Sequence, residues 1–146
     1  MNQRSYADNH TILAISPQLL DAAAAESGWI DMGAHPRLFA IAIIGATDIT
    51  VDVALQQATS AAGAGAKAIS GAAATQITAS GDNTFVSIEL ESVFLDRANG
   101  FQFVNLIITA GDGTTGAYVA GVVMAPARHA PVTQVAAYAQ QVVLAG

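Results

Sequence analysis

The chain has 146 residues, 53% of them hydrophobic and 11% charged, with no cysteine. That length fits one domain with a core it can bury unaided, and the lack of cysteine excludes disulfides, a thiolate nucleophile and thiolate-held metal. Eleven acidic residues against five scattered basic ones, net charge −6, argue against nucleic acid, which needs a clustered basic footprint; no apolar run nears the roughly 18 residues of a membrane span.

Met1 to His10 is polar and mixed in charge, without the basic-then-apolar layout of a signal peptide. Residues 1–28 read as an N-terminal arm. Within it Thr11–Ile15 suits a short strand that Ser16-Pro17 breaks. Gln18–Glu26, with four consecutive alanines, has helix composition for a turn or two, and Ser27-Gly28 stops it. The arm either frays or lies on a neighbouring subunit. The low-charge, Ala/Gly/Thr-rich sequence suits a chain whose surface is covered by its own copies or by a partner.

The stretch from Trp29 to Gln56 organises the rest of the chain. Trp29–Met32 reads as a short strand, His35-Pro36 as a turn, and Leu38–Ile44 as a nearly continuous apolar strand. After a Gly-Ala-Thr-Asp corner, Ile49, Val51, Val53 and Leu55 alternate with polar or small residues, the period of a half-buried strand. Two strands joined by a short polar corner predict a β-hairpin. Ala58–Ala74 holds nine Ala and three Gly, too much glycine for a long helix. It reads as a loop and then an extended stretch over Lys67–Ala72, with Thr75–Thr78 as a further short strand. Thr84–Glu91 alternates again, with Val86, Ile88 and Leu90 facing in. Phe101–Ala110 and Ala117–Ala125 are two more strands, separated by a turn over Gly111–Gly116. The spacing predicts an all-β chain, an antiparallel β-sandwich of jelly-roll type over residues 29–131, with residues 132–146 a C-terminal strand or short helix.

Motifs for chemistry are weak. Gly111–Gly116 matches G-x-G-x-x-G, but Ala117–Ala120 continues as a strand where a dinucleotide site needs a helix. Gly63-Ala64-Gly65-Ala66-Lys67 lacks the spacing and the hydroxyl of a phosphate loop. His10, His35 and His129 share no ligand spacing and read as surface or interface residues. Glu89 and Glu91 are the polar face of a strand rather than carboxylates opposed across a cleft. Asp48 with Asp52, and Asp82 with Asp112, lack the oxygen density of a calcium loop. No catalytic, cofactor or metal residue is assigned, and the chain reads as a non-enzyme.

Several segments together resemble a known family. They are Ser27-Gly28-Trp29-Ile30-Asp31-Met32, Arg37-Leu38 opening an apolar strand that ends at Gly45, Thr50–Thr59, Gly63–Lys67, Leu95-Asp96, and Asn99-Gly100-Phe101-Gln102-Phe103-Val104. The chain resembles, over residues 27–131, small structural proteins of tailed bacteriophages and prophages encoded among the head genes, of the capsid decoration (cement) or head-associated kind. The resemblance implies a virion component on the capsid surface, assembled in the host cytoplasm. It implies the major capsid protein and further copies of the same chain, as a homotrimer, as partners. A low-copy head fibre base, head–tail connector or tail component is the alternative within the virion; a carbohydrate- or receptor-binding sandwich is the alternative outside that class. With so few basic residues, each arginine is expected to be paired across subunits. Trp29 either packs under the sandwich edge or anchors an interface; Trp29, Ile30, Arg37, Arg97 and Arg128 are the expected interface residues, with the arm.

Overall fold

The structure is a computed structural model that describes residues 6–129, 131–140 and 142. One helical turn, α1 (Tyr6–Asn9), precedes nine strands: β1 (His10–Leu20), β2 (Ala24–Glu26), β3 (Ile30–Asp31), β4 (Arg37–Thr47), β5 (Val51–Ala58), β6 (Lys67–Ala73), β7 (Thr84–Glu91), β8 (Phe103–Ala110) and β9 (Ala117–Pro126). All pairings are antiparallel. One sheet, sheet A, has the order β1-β9-β4-β7; the other, sheet B, has β2-β8-β5-β6, with β3 continuing the β2 edge against β8. If β2 and β3 are counted as one interrupted strand, consecutive strands fall in opposite sheets except at β5–β6. This is the strand exchange of a jelly roll, so the sandwich expected from spacing is the fold.

The core lies between the sheets. Leu38, Ala40, Ala42 and Ile44 of β4 face Val51, Val53 and Leu55 of β5 and Val104, Leu106 and Ile108 of β8, and all are nearly fully buried. Each fully buried Val, Leu or Ile side chain among them contributes about 1.5–3 kcal/mol relative to exposure. Gly121 on β9 faces inward; a Cβ there would lie 3.0 Å from Leu106 Cδ2. Its missing side chain therefore sets how closely β9 approaches the opposite sheet.

Three expectations about organisation change. First, β4 and β5 do not form a hairpin; they belong to different sheets, and the three residues Asp48 to Thr50 carry the chain across the sandwich. The corner is closed by Thr47, whose Oγ1 donates to Ile49 O at 2.8 Å and accepts Ile49 N–H at 3.2 Å. The Gly111–Gly116 loop likewise joins β8 of sheet B to β9 of sheet A, and is a crossing rather than a hairpin turn.

Second, residues 10–26 are not an arm. β1 pairs with β9 along nearly its whole length, and β2 pairs with β8. Pro17 does not end the strand, because the register shifts between Ile15 and Gln18. A bulge on an edge strand is where a residue without an N–H is tolerated. The alanine run turns at Ala22 (φ +47) and places Ala25 in the core instead of forming a helix. Ile15, Leu20 and Ala25 are buried, and that burial outweighs the helix propensity of the run.

Third, residues 131–140 form neither strand nor helix, and the rest of the predicted C-terminal element, save residue 142, lies outside the described residues. The segment is fastened by Gln134, whose Nε2 donates to Ala7 O at 2.7 Å and His10 O at 2.6 Å, while Oε1 accepts Ile12 N–H at 3.2 Å. Thr75–Thr78 contributes only an isolated bridge between Ile77 and Val51.

Candidate functional site

The outer face of sheet A is apolar across β1, β9 and β4, and on β7 at Phe85, with Ser87, Glu89 and Glu91 as its polar margin. Antiparallel register sets the rows. Ile12, Met124, Phe39 and Glu89 make one row, and Ala14, Val122, Ile41 and Ser87 the next. Ala120, Ile43 and Phe85 make the third, and Leu19 lies beside Tyr118 in the fourth. These side chains share the face opposite the core because strand residues alternate. Phe85 is 71% exposed, Tyr118 52% and Ile43 50%, while Phe39, Ile41, Val122 and Met124 are half-buried among their neighbours. Tyr118 lies against Gly45, where a Cβ would come 3.3 Å from its own Cβ.

Two recesses end this face. One, of about 360 Å³, is lined by Tyr6, His10, Arg37, Phe39, Glu89 and Phe94 among others. There the His10 ring stacks on Tyr6 at 3.7 Å with the planes 8° apart, and Arg37 pairs loosely with Glu91 at 3.9 Å, both well exposed. The other recess, about 280 Å³, is lined by Pro17, Leu19, Ile43, Tyr118 and Ala120 among others. The first can offer aromatic edges, carboxylates and a guanidinium; the second is almost wholly apolar.

The five expected interface residues are not gathered on this face. Ile30 is 2% exposed in the core and cannot anchor a partner. Its burial follows from β3 pairing with β8 opposite Val104. Trp29 sits at the break between β2 and β3 and is half-buried; its indole covers Gly63, where a Cβ would lie 2.8 Å from Nε1. Arg97 is exposed but donates within the chain, to Met32 O at 2.9 Å and, from Nε, to Ser92 O at 3.4 Å. Arg128 is exposed, and its backbone N–H donates to Ala34 O at 3.0 Å. Only Arg37 borders the apolar face. Residues 10–26 of the expected arm lie within the sandwich, paired with β9 and β8.

The other candidates resolve into structure. His35 is buried rather than superficial, with Nδ1 3.0 Å from Pro126 O. Asp48 accepts the N–H groups of Gly116 (2.8 Å), Thr115 (2.8 Å) and Thr114 (3.2 Å). These backbone donors, Gly116 first, hold its carboxyl below the ordinary carboxylate range. Asp52 accepts from Gln76, and Asp82 accepts the Thr47 N–H at 2.7 Å. Asp96 is likewise held low, by Lys67 and then Asn99. The Lys67 ammonium also lies 3.9 Å from the centre of the Phe101 ring. Among the described residues no three His, Asp or Glu converge as a metal site.

The apolar face was hidden by the continuous run Leu38–Ile44. Such a run reads as a strand buried on both sides. The signal that exposes it is the absence of any helix to cover a second face: with two sheets and no third layer, Phe39, Ile41 and Ile43 must face outward.

No family model matches the sequence, and no curated protein matches it. Among solved structures the fold is similar to that of the PBSX exported protein XepA, with a TM-score of 0.55 at 10% identity. The alignment covers 99% of this chain but 46% of that one, so the chain spans less than half the length of XepA. Looser likenesses include the SPBc2 prophage-derived protein YomS (TM-score 0.44, 11% identity, 80% of this chain and 93% of that one). Another is the N-terminal xylanase 10B of Clostridium thermocellum with its CBM22-1 and GH10 modules (TM-score 0.45, 12% identity, 83% and 25%). At these identities the likeness is one of fold.

Proposed function

We propose that the chain is a phage- or prophage-derived virion structural protein without enzymatic activity. In this reading it decorates the capsid surface, docked on the major capsid protein as a homo-oligomer. The observation that carries the reading is the apolar outer face of sheet A. Monomeric proteins rarely expose so continuous an apolar patch, and such patches mark protein contacts. Its aliphatic centre, Ile41, Ile43 and Val122, suits a protein surface better than a hydroxyl-rich ligand. A lattice presents many equivalent sites, so each contact can be weak while linked copies hold together through effective concentration. The resemblance of the segments from Ser27 to Val104 to phage head-associated proteins supports the virion reading, and the sandwich fold is compatible with it.

Quantitative mass spectrometry of purified particles tests it. A ratio near one copy per capsid subunit is expected. A handful of copies per particle would replace decoration with a vertex, neck or tail role, and absence from particles would remove the virion reading altogether.

A second reading rests on the recess bordered by Tyr6, Phe39 and Phe94, where aromatic side chains line the same recess as Arg37, Glu89 and Glu91. That combination suits a glycan, whose apolar faces stack on rings and whose hydroxyls pair with charged groups. Binding to oligosaccharides that is lost in Phe94→Ala but kept in Val122→Thr would favour it over lattice docking.

A further inference from the structure

Three of the four sheet edges carry features that discourage further pairing. β1 has Pro17 and the bulge between Ile15 and Gln18. The β2/β3 edge is interrupted at Ser27-Gly28-Trp29, with Gly28 at φ +89. β6 contains Gly71 at φ +79, and its register with β5 slips between Ala54 and Gln56. β7 differs. It pairs one-to-one with β4 from Arg37–Glu91 to Ile44–Thr84 with no bulge, and it contains no proline, glycine or lysine. Among the described residues no strand pairs its other side.

Exposed apolar side chains cluster on the same edge. Phe85 on β7 is 71% exposed; Val93 and Phe94, in the turn after it, are 75% and 68% exposed. On the inward side Val86 and Ile88 touch the core yet remain half-buried, as they must at an edge with no next strand.

We propose that β7 is an assembly edge that pairs antiparallel with β7 of a second copy, joining two sheets A into one eight-stranded sheet across a two-fold axis. The charge pattern picks the register. Pairing centred on Glu89 puts carboxylate against carboxylate. Pairing centred on Ile88 still leaves the two Glu89 side chains diagonal to each other, about 7–8 Å apart. Pairing centred on Ser87 sets Ser87 against its counterpart and Phe85 against Glu89 of the other copy, and separates the carboxylates. On the core side that register brings Val86 against Ile88 of the other copy, covering both. The contact is isologous and closes at two copies.

Eight residues span about 27 Å, and one sheet with its side chains is about 10 Å thick, so the paired edge covers about 270 Å² per copy, with the exposed Phe85, Val93 and Phe94 beside it. That is the size of a weak, concentration-dependent contact. This assembly does not depend on the lattice reading, since it uses an edge and not the face of the sheet.

The chain has no cysteine, so Ser87→Cys introduces a single thiol. Opposed residues of an antiparallel pair have Cα atoms about 4.5–5.5 Å apart, within disulfide range. Mild oxidation of Ser87→Cys should give a covalent dimer, while Thr109→Cys, on the exposed face of sheet B, stays monomeric under the same conditions. Sedimentation of the unmodified chain over a concentration series should show a monomer–dimer equilibrium, weakened about tenfold or more in Ser87→Glu. A monomer or a trimer at all concentrations would overturn the proposal. So would crosslinking of the two cysteine variants at the same rate.

Discussion

The Asp48 carboxylate accepts the Gly116 N–H at 2.8 Å, joining residues 68 positions apart in sequence. The same carboxylate takes the N–H groups of Thr114 and Thr115. One side chain at the β4–β5 corner therefore shapes the β8–β9 crossing, and the two inter-sheet connections are fixed together.

Replacement of Asp48 by Asn should lower the melting temperature at neutral pH, because the amide is a weaker acceptor for three backbone donors. The folded carboxyl titrates below its ordinary 3.8. Its contribution is therefore fully present above that value and is lost as pH falls through the lower, folded value. Thermal melts from about pH 2 to pH 7 should show a steeper acid limb in the parent than in Asp48→Asn. Identical limbs would mean that the loop does not depend on the charge.

Gly116→Ala tests the other partner. Gly116 has φ +98, and a Cβ would sit 2.4 Å from Leu20 O. The backbone strain alone is on the order of 1–3 kcal/mol, and the clash is with main chain that cannot rotate away. Gly65→Ala, at φ +65 with nothing nearby, should cost only about 1–2 kcal/mol. Chemical denaturation of both variants gives the comparison.

Gln134→Ala removes three hydrogen bonds to the start of the chain at once. The expected loss is about 1–3 kcal/mol. A protease should cut beyond Pro131 sooner than in the parent, with β1 still protected.

Asn105 is fully buried on β8, and neither its Oδ1 nor its Nδ2 has a hydrogen-bond partner. The register that pairs Ile30 with Val104 places it opposite Trp29, and its neighbour on β5 is Gln56. Asn105→Leu, close in volume, should raise stability by about 1–3 kcal/mol in urea unfolding. A fall would mean that water satisfies the amide.

The double change Ile43→Thr and Val122→Thr keeps β-branched residues on the outer face of sheet A while making it polar. Stability should stay within about 1 kcal/mol, while binding to particles, measured by co-sedimentation, should weaken at least tenfold. Retained binding would move docking off this face.

Strand identity was legible in the sequence because alternation survives any topology. Val86, Ile88 and Leu90 face inward as their spacing says, and so do Val51, Val53 and Leu55. Pairing was not legible. A short polar corner serves a hairpin and a crossing equally, and what separates them at Asp48 is a contact to a loop far away in sequence. β1 and β2 were obscured for another reason. An edge strand buries few residues, here Ile15 and Leu20, and a proline and an alanine run then dominate the local reading. Arginine scarcity pointed to interfaces, yet Arg97 satisfies Met32 within the chain. Scarcity says that a cation has a partner, not which molecule supplies it.

The place of β9 between β1 and β4 sets an order of events on the ribosome. β1 is made before β9, its only strand partner among the described residues, which begins 97 residues after β1 ends, at Ala117 against Leu20. At about 5–20 residues per second, roughly 5–20 s pass before that partner exists. For that interval Ile12, Ile15 and Leu20 have no sheet to join, and the bulge at Pro17 is the feature of β1 that discourages wrong pairings. Sheet A then closes from its middle, when β9 enters between two strands that have been waiting.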